Sequence, residues 1–146
     1  MKEIGSYSFE RCYSLPEITI PATIETIGDS PFSECSSLET IIINGENDKY
    51  ETFDGILFTK GQYILIQYPG GKKGDTYSFG ESTTTINRHA FVGNHYLTSI
   101  TIPTRVTTIK GNPFANVTTL DMISVQSTIQ HSQQMMESCL TNYQQH

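Results

Sequence analysis

Four copies of one apolar pattern, falling in two pairs with a common internal period of 23, constrain the fold of this chain more than any other feature. An isoleucine opens each copy, at Ile4, Ile27, Ile86 and Ile109, and a phenylalanine follows five positions on, at Phe9, Phe32, Phe91 and Phe114. Six further comes a leucine (Leu15, Leu38, Leu97, Leu120), then Ile18 and Ile20, Ile41 and Ile43, Ile100 and Ile102, Ile123 and Val125. All twenty positions are apolar in a chain that is only 36% hydrophobic, so the spacing is not chance. A fixed interval of this length marks a repeat architecture, in which each unit is too small to bury its own apolar face and stacks on its neighbours.

Within a copy, the leucine and the two β-branched residues alternate with polar ones, as in LTSITIP at 97–103, which is the period of a half-buried strand. Pro21 and Pro103 end that strand, since proline cannot donate to a ladder. A second apolar pair, Ile24 with Ile27 and Val106 with Ile109, predicts a second short strand. Gly28, or the turn Gly111-Asn112-Pro113, then leads into a short helical turn carrying the phenylalanine. The expected fold is a repeat solenoid of short parallel strands and short helical turns, with about five coils starting at residues 4, 27, 50, 86 and 109.

The third coil is irregular. The step from Ile27 to Ile86 is longer than two periods by 13, and this coil carries the surplus. One period on from Ile27 lies Tyr50, and Tyr77 and Phe79 fall at the strand positions before Ile86. The surplus predicts a β-hairpin over about 53–74, with Ile56, Leu57 and Phe58 facing Ile64, Leu65 and Ile66 across a Gly-containing turn. Beyond Val125 the pattern fails. The solenoid is expected to end near residue 131, with an amphipathic helix over 132–146 (Met136, Cys139, Leu140, Tyr143) capping the last coil.

The segments SLPEITIPATIETIGDSPFSECSSLETIII at 14–43 and YLTSITIPTRVTTIKGNPFANVTTL at 96–120 resemble the BspA-like, or Treponema pallidum type, leucine-rich repeat family. The insert is similar as well, through NDKYETFDGILF at 47–58 and LIQYPGGKKGDTYSF at 65–79. The chain departs from the pattern at the cysteine slot of the last two coils, where Asn94 and Val117 stand, and in its tail. The resemblance implies a right-handed curved solenoid without catalytic activity. It also implies a surface or secreted protein of mucosal bacteria or parasitic protists, associated with adhesion to host proteins and other microbes.

Composition narrows the remaining classes. The formal charge is −6, and the nine Lys and Arg are scattered except for Lys72 and Lys73, which argues against nucleic-acid binding. No apolar run is long enough to span a membrane, and the N-terminal residues form no signal peptide. That leaves a cytoplasmic protein, or a segment of a longer one, as the alternative to the surface location. Three cysteines are too few for a disulfide framework. Cys12 and Cys35 fall at one position of consecutive coils, a spacing that leaves a disulfide open, and parallel side chains in the seam favour buried free thiols over it.

No set of residues points to a reaction or to a cofactor. GGKKG at 70–74 lacks the spacing and the following Ser or Thr of a phosphate loop and reads as a turn. His89, His95, His131 and His146 do not share ligand spacing, and Glu17 with Glu39 reads as a solvated face although their stacking would mimic a carboxylate dyad. Asn116-Val117-Thr118 is a glycosylation sequon only in a eukaryotic secreted chain.

The exposed strand positions are the candidate binding surface: Glu17, Thr19, Thr40, Ile42, Thr76, Ser78, Ser99, Thr101, Met122 and Ser124. A hydroxyl-rich, weakly charged sheet suits a protein or glycan partner. The insert offers a rival surface through Phe53, Tyr63 and Tyr68. A second functional reading is a structural spacer, or a segment that self-associates through an uncapped N-terminal coil.

Overall fold

A strand that recurs once per period has only its counterparts in the coils before and after to pair with, and the backbone follows that requirement. The computed structural model describes residues 1–126. Along one face run β2 (Glu17–Pro21), β4 (Thr40–Asn44), β8 (Thr76–Ser78), β10 (Ser99–Ile102) and β12 (Met122–Val125). Along another run β1 (Glu3–Ile4), β3 (Thr26–Ile27), β7 (Ile64–Gln67), β9 (Thr85–Ile86) and β11 (Thr108–Ile109), with β5 (Tyr50–Phe53) and β6 (Ile56–Thr59) set among them. Pairing between successive coils is parallel and in repeat register: Ile18 lies opposite Ile41, Tyr77 opposite Ile100 and Ile100 opposite Ile123. The molecule is a β-solenoid of about five turns.

The phenylalanine segments hold a third ladder. Phe9 N–H donates to Pro31 O at 2.9 Å, and Phe91 N–H to Pro113 O at 2.8 Å, so these segments stack by main-chain bonds as the strands do. They are not the helical turns expected. Each is a run of i to i+3 turns broken by left-handed residues four apart: Tyr7 and Arg11, Ser30 and Glu34, His89 and Gly93, Asn112 and Asn116. The left-handed backbone reverses the chain sharply enough to close so short a coil. It also explains the asparagines of the last coil, which tolerate that conformation better than most side chains.

The third coil differs in detail from the reading above. The strand opposite Ile86 is β7, with Leu65 in the anchor position, and not the strand at Tyr50. The step from Ile27 to Leu65 exceeds one period by 15, and the step from Leu65 to Ile86 falls short of one by two. The surplus therefore precedes the anchor, and the turn after it is shortened. The insert is a three-stranded antiparallel meander: β5 pairs with β6 through the turn at Asp54 and Gly55, and β6 pairs with β7. Asp54 (φ 51°) and Gly55 (φ 77°) are both left-handed, the conformation a two-residue hairpin turn demands. Tyr68 takes the phenylalanine position, its ring stacked 5.0 Å from Phe91. It is buried core and not part of an insert surface.

β6 and β7 divide the interior. Leu57 and Ile66 face a cluster built on Ile20, Phe32 and Leu38, whereas Ile56, Phe58 and Leu65 face one built on Phe91, Ile100 and Phe114. Burial on both sides is why both strands are continuous apolar runs instead of alternating ones. Where the repeat is interrupted, polar residues fill seam positions and satisfy stranded backbone groups. Asn47, one period after Ile24, donates to Ala22 O and Ile24 O at 2.8 Å each and accepts from Lys49 N–H and Tyr50 N–H. Thr83, one period before Val106, donates to Gln62 O at 2.8 Å. The Tyr50 hydroxyl accepts from Ile27 N–H at 3.0 Å, in place of a carbonyl from a next strand.

Asn94 follows the same logic at the cysteine slot. Its amide donates to Pro69 O and Lys72 O at 3.1 Å each, and its carbonyl accepts from Tyr96 and Leu97 N–H. Pro69 O also accepts from Lys72 N–H at 3.2 Å, so the Asn94 amide bridges the two ends of the Pro69 to Lys72 turn, which a thiol could not do. Asn94→Val, the residue type found at position 117, is expected to destabilise the chain by at least about 2 kcal/mol in urea unfolding, because buried polar groups lose their partners. A loss below about 0.5 kcal/mol, ordinary for a surface change, would show that these bonds do not hold the third coil in place.

Candidate functional site

The interruption leaves its clearest mark on the first face. β2 and β4 form one sheet, β8, β10 and β12 another, and among the described residues no ladder joins β4 to β8. Ile41 N–H, which a following strand would accept from, donates instead to Gly55 O at 3.0 Å at the tip of the meander. A cleft of about 320 Å³ lies between that tip and β8, bordered by Phe53, Asp54, Lys72, Thr76 and Ser78. A second depression of about 310 Å³ adjoins it over β8 and β10, bordered by Thr76, Ser78, Ser99, Thr101 and Arg105. Volumes near 300 Å³ fall at the low end of small-ligand sites.

Charge around the cleft is internally compensated. Lys72 Nζ donates to Asp54 O at 2.8 Å and lies 3.2 Å from the Asp54 carboxylate, tying the meander tip to the Gly70-Gly71 return. Lys73 lies 3.4 Å from Glu39 at the edge of β4. The return must be glycine: a Cβ on Gly71 would stand 2.6 Å from the Ser37 carbonyl carbon. GGKK is therefore a packed turn, as read from the sequence. Arg105 is also committed, donating to Gly80 O and Phe79 O at 2.8 Å each.

The candidate surface residues separate into groups. Thr76, Ser78, Ser99 and Thr101 stand in register on β8 and β10 and border the two depressions. Met122 and Ser124 extend that sheet on β12. Glu17, Thr19, Thr40 and Ile42 lie on the other sheet, with Glu17 opposite Thr40 and Thr19 opposite Ile42, and border neither depression. Glu39 is therefore not opposite Glu17, and the two carboxylates form no dyad. Of the aromatic residues proposed for the insert, Phe53 and Tyr63 are exposed, at 63% and 58%. Lys72, Gln62 and Arg105 also border the depressions, and no sequence signal marks them for it, because only the fold brings them to this face.

One arrangement elsewhere has the outward form of a nucleophile and base. Ser30 Oγ lies 3.2 Å from His89 Nδ1, where the second coil meets the fourth directly. Ser30 is fully buried and its hydroxyl also donates to Arg88 O at 3.2 Å, so it has no access to a substrate. Burial of Cys35 pushes its thiol up to about 11, which leaves it protonated and unreactive near neutral pH, and neither it nor Cys12 is bridged. Among the described residues, no three His, Cys, Asp or Glu side chains converge as metal ligands. No helix among them is long and apolar enough to cross a membrane.

A stacked ladder of short coils, with a leucine and paired β-branched residues in each, defines a leucine-rich repeat protein. The chain belongs to the BspA type leucine-rich repeat family, whose model matches six copies over residues 1–64 and 72–145. Repeat modules of this family serve protein interaction and are typically non-catalytic. The structure is similar to that of the pneumococcal vaccine antigen PcpA, at 27% identity over 85% of this chain with a TM-score of 0.81. It is also similar to a leucine-rich cell surface protein of Faecalibacterium prausnitzii (30% identity over 84%, TM-score 0.76) and a leucine-rich repeat protein of Eubacterium ventriosum (25% over 87%, TM-score 0.72). The chain spans 31%, 32% and 40% of those three proteins respectively. No curated protein matches it.

Burial holds the His89 imidazole below its ordinary value, and Arg88 adds to this, against the smaller opposing effect of Glu10 and Glu34. The fold therefore favours the neutral ring. Its contribution is complete above about pH 6.5 and is lost as pH falls below that value, where the unfolded chain takes up the proton first. Thermal unfolding at pH 7.0 and 5.5 should show a smaller acid loss for His89→Asn, which suits the left-handed backbone (φ 55°) and does not titrate. Equal losses in both proteins would remove His89 as a source of acid sensitivity.

Proposed function

We propose that this chain is a non-catalytic binding segment of a microbial surface or secreted protein, which engages a protein or glycan partner on the strand face over β8 and β10. One observation carries the reading. Thr76, Ser78, Ser99 and Thr101 stand in register beside two adjoining depressions, while the inward residues between them, Tyr77 and Ile100, do the packing. Hydroxyls there are not needed by the core and offer both donors and acceptors to a partner. The resemblance to a cell surface protein and to a vaccine antigen supports the surface location, and the family's role in interaction supports the function.

A second reading, a spacer or self-associating segment, is favoured by the first coil. Phe9, Leu15 and Ile18 are only partly buried, although their counterparts Phe32, Leu38 and Ile41 are fully covered. A second copy stacked on that seam would cover them. Light scattering after size exclusion separates the readings, since a strict monomer at high concentration excludes self-association.

Binding is tested with arrays of extracellular-matrix proteins and mucin glycans. The triple change Ser99→Lys, Thr101→Lys and Ser124→Lys is expected to weaken any bound partner at least about tenfold, equivalent to roughly 1.4 kcal/mol. Thr19→Lys and Ile42→Lys, on the separate sheet, should leave it unchanged. Equal affinity in all variants would exclude the β8 and β10 face.

A further inference from the structure

We propose that the unpaired edge of β8 takes up an extended, uncharged peptide segment of a partner protein by strand addition, in the gap that the meander opens between β4 and β8. This rests on the protein-interaction reading above and specifies its partner. Among the described residues β8 pairs with β10 on one side only, and its other side faces the cleft. The direction of its main-chain groups follows from the ladder. Ser99 N–H donates to Asp75 O at 3.2 Å, and successive residues of a strand turn their N–H and C=O groups to alternate sides. Asp75, Tyr77 and Phe79 therefore address β10, and Thr76 and Ser78 turn their main-chain groups toward the cleft.

The edge is internal to the solenoid, so it is not a consequence of where a chain starts or stops. The corresponding edge of β4 is occupied, since Ile41 N–H is bound to Gly55 O, while nothing comparable among the described residues covers β8. Proteins ordinarily blunt a free edge with a very short strand, proline, a bulge or a lysine, and of these Thr76-Tyr77-Ser78 has only its three-residue length. The charged side chains that line the cleft are already paired, Lys72 with Asp54 and Lys73 with Glu39, so its walls offer no net charge to an ionic ligand. Across it stands Phe53, 63% exposed, placed to cover an apolar side chain of an added strand. Main-chain groups at a two-residue interval match a polypeptide and not a sugar ring.

The test uses random dodecapeptides displayed on phage, selected against the full chain, with the enriched peptides then synthesised and their affinity measured by fluorescence anisotropy. Methylating alternate amide nitrogens of a selected peptide should weaken it at least tenfold in one of the two registers. Ser78→Pro should do the same, since it deletes the outward N–H while leaving the groups that pair with β10. Circular dichroism and thermal unfolding establish that the variant is folded. Phe53→Asp, at an exposed position outside the β8 ladder, should weaken binding at least fivefold and carries the test if Ser78→Pro does not fold. Selection of no peptide, or of peptides indifferent to methylation, overturns the proposal. A matrix protein or glycan that binds, is lost with Thr101→Lys and is unaffected by Ser78→Pro overturns strand addition while leaving the face reading intact.

Discussion

Main-chain hydrogen bonds between successive coils are the constraint on which everything else in this molecule depends. They run at three places around a regular coil: Gly28 N–H to Ile4 O at 2.8 Å, Phe9 N–H to Pro31 O at 2.9 Å, and Thr98 N–H to Asp75 O at 2.8 Å. Each bond requires that a residue find its counterpart one period away. Adding or removing residues therefore shifts every later pairing unless the excess is looped out. The side chains obey the same rule, so Phe91 and Phe114 stack with centroids 5.1 Å apart and Ile86 and Ile109 share a strand register.

The third coil shows what the rule costs when broken. A surplus enters before its anchor and a shorter stretch is lost after it, and the fold answers with side chains that replace backbone partners: Asn47, Thr83, Asn94 and the Tyr50 hydroxyl. The shortening of the third coil's phenylalanine turn lets Ser30 of the second coil touch Arg88 and His89 of the fourth, and Glu34 accept from the Asn116 amide at 2.8 Å. On the strand face the same event parts β4 from β8 and leaves the cleft. The proposed binding surface and the repeat interruption are thus one feature seen from two sides.

Much of this was legible in the sequence. The positions of β2, β4, β8, β10 and β12 follow from the repeat period, and the β6 and β7 hairpin from its two apolar runs. The position of the third anchor was not legible, because Tyr50 satisfies the period numerically while Leu65 satisfies it by pairing. Nor were the left-handed turns, since Tyr7, Arg11, Ser30 and Glu34 carry no common residue type to announce them. Of the candidate surface, the hydroxyl positions could be placed on strands, but not divided between two sheets. The expected helix at 132–146 lies outside the described residues.

By itself, then, the sequence determined that the chain stacks as coils, which residues form the apolar seam, and that the third coil departs from the rest. Periodicity suffices for that, because burial and pairing act between positions a fixed interval apart. Only the tertiary structure decided where the departure falls, which strand edge it leaves unpaired, and which residues surround the gap. Phe53, Lys72 and Ser78 meet because the meander folds back across the face, and no local pattern encodes a contact made by chain reversal.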